Sequence, residues 1–278
     1  MNLELLLEPL QYGFMVRAFV GVGLVAVVAA AIGTFVVLKG LAFMGDAIAH
    51  TAFTGIAVGL LLGISIHVSA LFFALVTSLG VVVLTRVSNV RNDTALAILF
   101  TGVFALGIVL LSTSPGFMGD LNSLLLGSVL AIQAREIVLI AAFALLLVVV
   151  LVLFFPQLVL ASFDPLGAEA AGFPVVLFQS LLLALTAVAI VISIQAVGVV
   201  LVVALLITPA ATAGLVTKRL KLQILLAALF GLVSSFLGLY ISYFFGAPPG
   251  ATVVLVATLF FTAALTIQRL RSRGGAAC

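Results

Sequence analysis

The sequence predicts an all-α integral membrane protein, a polytopic bundle of about nine transmembrane helices. Of its 278 residues, 65% are hydrophobic and only 7% are charged, whereas soluble domains carry about 25% charged residues. Charged and turn residues divide the chain into apolar segments, each long enough to cross a hydrocarbon core of roughly 30 Å as a helix. The alternating segments of about ten residues that mark a membrane β-barrel do not occur. Helices are therefore expected, because they satisfy their backbone hydrogen bonds within each segment.

Nine apolar segments follow one another along the chain. They are residues 17–38, 41–62, 67–85, 94–111, 137–155, 175–194, 197–216, 223–244 and 252–268. The joins at Lys39-Gly40 and near Gln195 are tight, and a re-entrant segment at either join would reduce the number of spans to eight. No linker indicates a second domain, so residues 1–278 are predicted to form a single transmembrane domain.

Two segments outside these spans carry predictions of their own. Residues 1–15 are too short and too acidic to span a membrane, so we expect an interfacial helix on the outer face. Residues 156–173 contain an Asp-Pro pair, glycine and several alanines, which predicts a short helix along the cytoplasmic surface.

The placement of Lys and Arg predicts the orientation. With nine spans, nine basic residues fall on one side of the membrane and only Arg17 and Arg135 on the other. Cytoplasmic loops carry the excess of basic residues, so the C-terminus is predicted to be cytoplasmic and the N-terminus external. Nothing resembles a nucleic-acid-binding patch, and the single cysteine, Cys278, cannot form an internal disulfide.

The stretch FMGDAIAHTAFTG places Asp46 and His50 four residues apart in the second span. At helical spacing they share a face, which Phe53, Thr54 and Ala57 continue. Gly55, Gly59 and Gly63 form a roughly opposite stripe that lets a neighbouring helix approach closely.

A carboxylate at mid-span costs roughly 2.5–3.5 kcal/mol on insertion scales, and such residues usually face a cavity or an interior partner. One interpretation is that Asp46 and His50 neutralise each other and fix helix packing. The other is a divalent metal site, because imidazole and carboxylate suit zinc, manganese or iron. Two ligands are too few for one tetrahedral metal, so this second interpretation predicts a homodimer in which two copies of the helix meet on a two-fold axis.

The sequence lacks the motifs of several other functions. No G-x-x-x-x-G-K-[ST] occurs, so this chain is not expected to bind ATP through a P-loop. H-E-x-x-H is absent, and a second deep acid for an aspartyl protease is lacking because Asp120 falls in an outer loop. An ion- or proton-coupled secondary transporter stays open as the alternative, although such proteins usually bury several ionisable residues and show repeats.

Four stretches in order along the chain resemble the membrane permeases of zinc and manganese ABC transporters. They are MGDAIAHTAFTGIAVGLLLG, NDTALAILFTGVFALGIVLLS, DLNSLLLGSVLAI and VGVVLVVALLITPAATAGLVTKRL. The resemblance implies an ABC importer permease fold in a bacterial plasma membrane. It also implies that Asp46 and His50 coordinate the transported metal, with zinc and manganese as the first candidates and iron as the third, and that no cofactor is bound permanently.

The same resemblance implies partners. These are a cytoplasmic ATP-binding subunit, which would hydrolyse ATP in place of this non-enzymatic chain, and an extracytoplasmic metal-binding protein that delivers the metal. The stretch FDPLGAEAAGF matches the coupling loop of the family, which assigns Phe163, Asp164, Pro165 and Gly172 to the contact with the ATPase. The chain departs from the family pattern at Leu166, where the family has an acid after the proline.

Overall fold

The computed structural model describes residues 8–87, 92–112 and 127–274, which form eleven α-helices and one short 3-10 helix, Val129–Ala131. Asp120 and Cys278 lie outside these residues. The helices are α1 (Gly13–Leu38), α2 (Ala42–Leu62), α3 (Ile66–Val87), α4 (Asn92–Ser112), α5 (Ala134–Leu153), α6 (Phe155–Phe163), α7 (Pro165–Ala170), α8 (Val175–Val197), α9 (Val199–Val216), α10 (Leu220–Phe245) and α11 (Pro249–Gly274).

Within the described ranges, nine helices are long and apolar enough to cross a membrane, and these are all the helices except α6 and α7. This confirms the predicted all-α membrane fold and its division into nine segments. Both tight joins separate two complete helices. Gly40 (φ +68°) follows α1 and Gly198 (φ +83°) follows α8, and glycine adopts this left-handed backbone without the steric penalty of other residues.

The N-terminal prediction is only partly described, because residues 1–7 lie outside the described ranges. Residues 8–11 are helical, the chain bends at Tyr12, and α1 begins at Gly13. The first span therefore starts before residue 17, where the sequence places its start. Arg17 can lie inside the helix because its Nε donates a hydrogen bond to the Ile132 carbonyl, 3.0 Å away.

Helix α1 lies at the centre of the bundle and packs against α5, α8, α9 and α10. Small residues allow this close packing. A side chain at Gly33 would overlap the backbone carbonyl of Leu206 in α9, and one at Gly45 in α2 would meet the Leu206 side chain. Leu206 is fully buried, so α1 and α2 both contact α9 at this one residue.

Two of the three glycines in the predicted stripe on α2, Gly55 and Gly59, pack against α3, whereas Gly63 ends the helix and has nothing within 4 Å. A side chain at Gly55 would collide with the backbone of Ser69 and Ala70, and one at Gly59 would crowd Ile66 and Ser69. The stripe therefore places the two helix backbones in direct contact, as small-residue stripes do in membrane proteins. The opposite face of α2 is left for other contacts.

The segment 156–173 forms two short helices instead of the one helix that the sequence predicts. Helix α6 continues almost directly from α5 and ends at Phe163, and α7 begins at Pro165. Asp164 separates them, because its Oδ1 accepts a hydrogen bond from the Gly167 backbone N–H (2.9 Å) and so caps α7. Pro165 at the first helical position has no N–H to leave unpaired.

We expect Gly55→Leu to destabilise the protein, because the added side chain must push the α3 backbone away from α2. Overpacking usually costs roughly 1–3 kcal/mol, and backbone atoms cannot move aside as a flexible side chain can. Gly102→Leu in α4 is the matched control, since nothing lies within 4 Å of a Cβ at Gly102. Thermal denaturation in one detergent checks the pair. Equal melting temperatures for the two variants would contradict the direct contact of the α2 and α3 backbones.

Candidate metal-binding site

Asp46 and His50 lie in the first half of α2, on one face of the helix as predicted. Their side chains are 39% and 23% exposed, and Phe43, one turn before Asp46, is 67% exposed. Phe43, Asp46 and His50 follow the i, i+3, i+7 spacing of a single helix face. This face is open at the surface of the single chain.

The His50 ring is oriented by the helix backbone. Its Nδ1 lies 2.9 Å from the Asp46 carbonyl oxygen and 3.4 Å from Asp46 Oδ1. With the proton on Nδ1, the first contact is a hydrogen bond to the carbonyl, and Nε2 keeps the lone pair that a metal ion needs. Histidines that bind metals commonly donate the other ring N–H to a carbonyl or carboxylate in this way.

Aromatic side chains of α4 form a wall beside His50. The His50 ring meets Phe100 and Phe104 edge-on, with ring centroids 5.4 and 5.2 Å apart. Phe53 of α2 also contacts Phe104. These contacts restrict the His50 ring to one orientation, and the sequence reading did not identify them. Phe100 and Phe104 lie four residues apart on one helix face, and this spacing is the sequence signal that could have identified them as a pair.

The rest of the predicted polar face is not open. Thr54 is fully buried and its hydroxyl donates to the Val103 carbonyl of α4 (2.8 Å), while Phe53 and Ala57 are also buried. Gly107 permits this contact, because a side chain there would collide with Thr54. Helix α4 thus covers α2 beyond His50, so the open part of the face is short.

Asp46 and His50 are the two candidate ligands that the described part of the chain offers at this point. Among the described side chains, no group of three or more His, Cys, Asp and Glu is close enough to hold a metal ion. One carboxylate and one imidazole supply mixed oxygen and nitrogen donors, which suit several divalent transition metals. Further ligands would have to come from beyond the described part of this chain or from a second chain.

A small cavity of about 120 Å³ lies near the start of α2, lined by Lys39 and Met44 with Thr85 of α3 and Gln179 of α8. Burial of the Lys39 ammonium lowers its pKa from the ordinary value. An ammonium group cannot coordinate a cation, so Lys39 adds positive charge near the start of α2 without serving as a ligand.

The four predicted coupling residues, Phe163, Asp164, Pro165 and Gly172, are all exposed. Leu166, at the position of the family acid, is 79% exposed. Ala168, by contrast, is buried against Ala161 and Val175. Helix α7 therefore presents Leu166 and Glu169 to the surface beside the capping Asp164, and Ala168 packs its other side against the bundle.

Comparisons with known proteins agree over most of the chain. The model of the ABC 3 transport family matches residues 11–268. A Listeria innocua serovar 6a protein named "Manganese transport system membrane protein MntC" is 40% identical over 258 residues, which cover 92% of each chain. A Haemophilus influenzae protein named "Probable iron transport system membrane protein" is 37% identical over 268 residues, 96% of this chain and 98% of that one.

A solved structure supports the same assignment. The structure described as "PsaBC from Streptococcus pneumoniae in complex with Fab" superposes with a TM-score of 0.84 at 35% sequence identity, covering 95% of each chain. The family that the sequence motifs indicate is thereby confirmed. The protein is a multi-pass protein of the bacterial plasma membrane, and the chain belongs to the ABC 3 transport family.

Proposed function

We propose that this chain is the membrane permease of an ATP-driven importer of divalent transition metal ions, with manganese the first candidate cargo. The observation that carries the proposal is the open face of α2, where Asp46 and His50 lie side by side in a membrane span. Ionisable residues within spans usually mark a pathway for ions or substrate.

The identity of the metal is argued from the donors and from the relatives. One carboxylate and one imidazole accept manganese, iron or zinc. The Listeria relative is named for manganese transport and the Haemophilus relative for iron transport. Manganese and iron therefore come before zinc, and zinc has only the donor chemistry in its favour.

We further propose that two copies of the chain form the pathway. A single described chain supplies two ligands, and a second copy would supply another Asp46 and another His50. Four ligands from two copies would complete a metal coordination shell. The 67% exposure of Phe43 on the same face supports this arrangement, because an isologous contact between two α2 faces would bury it.

Metal import would require two further partners, one to supply energy and one to deliver the metal. The sequence has no P-loop, so an ATP-binding subunit on the cytoplasmic side would have to power import, and α7 with Phe163 and Asp164 is the proposed contact. The described outer loops are short, and a separate extracytoplasmic metal-binding protein would capture the metal and deliver it.

Substituting either ligand tests the metal site. We expect Asp46→Ala and His50→Ala each to reduce metal uptake by at least about tenfold, in line with the effect of losing groups around a metal. Membrane insertion and assembly should persist.

His67→Ala is the matched control, because His67 is exposed just after the far end of α2. The measurement is ATP-dependent manganese uptake into proteoliposomes that contain the permease and its ATPase. Uptake by either variant at the parental rate would favour the interpretation of a purely structural pair, and uptake without ATP would favour a secondary transporter.

Disulfide formation tests the proposed dimer. In a Cys278→Ser background, we expect Phe43→Cys to crosslink two copies of the chain in native membranes, since the α2 faces would meet near this position. Val138→Cys, equally exposed at 67% but on α5, serves as the control. The readout is the covalent dimer on non-reducing gels. Crosslinking at Val138 and none at Phe43 would place the interface elsewhere.

Cysteine labelling tests the proposed ATPase contact. In the same background, we expect Ala171→Cys to crosslink to the ATPase subunit and Ala168→Cys to react poorly, because Ala171 is exposed and Ala168 is buried. Mass spectrometry of the crosslinked product identifies the partner. Labelling of Ala171→Cys from outside intact cells would overturn the orientation itself.

A further inference from the structure

A groove of about 650 Å³ lies between α1, α5, α6 and α10, away from the Asp46–His50 face. Its walls are apolar and include Phe35 of α1, Val152 of α5, Phe155 of α6 and Leu225 of α10. The volume falls within the roughly 300–1,000 Å³ of sites that bind organic ligands. The groove is thus large enough for a sizeable apolar ligand.

The groove opens sideways into the membrane. Val152 and Leu225 on its rim are 67% and 65% exposed. Both residues lie close to helix ends, because α5 ends at Leu153 and α10 begins at Leu220, and the distribution of Lys and Arg predicts these ends to be cytoplasmic. The opening therefore faces the inner leaflet of the bilayer.

One positive charge stands at the cytoplasmic mouth of this groove. Lys221 lines it, is exposed, and places its Nζ 6.0 Å from the centroid of the Phe155 ring. Among the described residues, no carboxylate lies within ion-pair distance of Lys221. No Asp or Glu follows Glu169 anywhere in the sequence, whereas Lys218 and Arg219 lie just before Lys221.

We propose that this groove binds an anionic phospholipid of the inner leaflet, with an acyl chain along the apolar walls and the phosphate at Lys221. The positive charge of Lys221 decides which kind of molecule suits the groove. An ammonium group repels the metal cargo, and a purely apolar protein helix would leave it unpaired. Basic residues between transmembrane helices on the cytoplasmic side are suited to anionic lipid headgroups, and the inner leaflet supplies them.

The bound lipid would stabilise the joint between α5 and α6. Phe155 begins α6, and its ring packs edge-on against Phe35 of α1, with centroids 6.1 Å apart. A lipid beside Phe155 would fill the space between this joint and α10. Because a ligand stabilises the folded state to which it binds, the lipid should raise the melting temperature of the protein.

The experiment uses the full-length protein in detergent with three probes: phosphatidylglycerol, phosphatidylethanolamine with the same acyl chains, and glycerol 3-phosphate. Native mass spectrometry measures bound lipid and a thermal melt measures stabilisation. We expect phosphatidylglycerol to bind and to raise the melting temperature, and the other two probes to do neither at the same concentration.

Two pairs of variants separate the groove from general surface charge. Lys221→Ala should weaken phosphatidylglycerol binding about fivefold, the usual effect of one basic residue near a membrane surface, and Lys221→Arg should retain it. Lys218→Ala, which removes a neighbouring charge that does not line the groove, should change binding much less. Ala228→Phe should abolish binding by filling the groove while it leaves Lys221 in place.

Three results would overturn the proposal. Equal losses of phosphatidylglycerol binding in Lys221→Ala and Lys218→Ala would mean that the lipid is attracted to the charged surface in general. Equal binding of glycerol 3-phosphate would mean a phosphate site without a lipid. Efficient disulfide crosslinking of two copies through Val152→Cys, in the Cys278→Ser background, would mean that protein covers the groove.

Discussion

Contact between helix backbones at small residues is the constraint on which the rest of this structure depends. In lipid, apolar side chains gain little by leaving their surroundings, so helices associate through close packing. Gly33 and Gly45 bring α1 and α2 against Leu206 of α9, and Gly55 brings α2 against α3. Because Gly45 immediately precedes Asp46, the same packing that holds the bundle together sets the position of the Asp46–His50 face.

Helix α2 packs against its neighbours and also carries the proposed metal-binding face. Its glycine stripe binds α3, and Thr54 binds α4 through the Val103 carbonyl. The part of the α2 surface that α3 and α4 leave open is short and carries Asp46 and His50. The ring of His50 is held by the Asp46 carbonyl on one side and by Phe100 and Phe104 on the other. This rigid support would orient Nε2 before any metal arrives, which lowers the cost of ordering a ligand on binding.

The end of the molecule that the basic residues predict to be cytoplasmic carries most of its charge and two of the proposed contacts. Lys218, Arg219 and Lys221 lie at the start of α10, and no acidic residue follows Glu169. Asp164 caps α7, which presents Leu166 to the surface. The positive charge from which the orientation is predicted also provides the cation at the mouth of the proposed lipid groove. Orientation and lipid recognition would thus share the same residues.

The amino-acid sequence alone determined the helical membrane fold, the nine segments, and the shared face of Asp46 and His50. These features follow from local properties, namely segment length, hydropathy and the 3.6-residue period. The tertiary structure decided the features that join distant residues. It showed that α4 covers Thr54 and supports His50, that Arg17 pairs with the Ile132 carbonyl, and that α5 and α10 enclose a groove beside Lys221. Such contacts depend on which helices become neighbours, and hydrophobic periodicity cannot specify neighbours when nearly every helix surface is apolar.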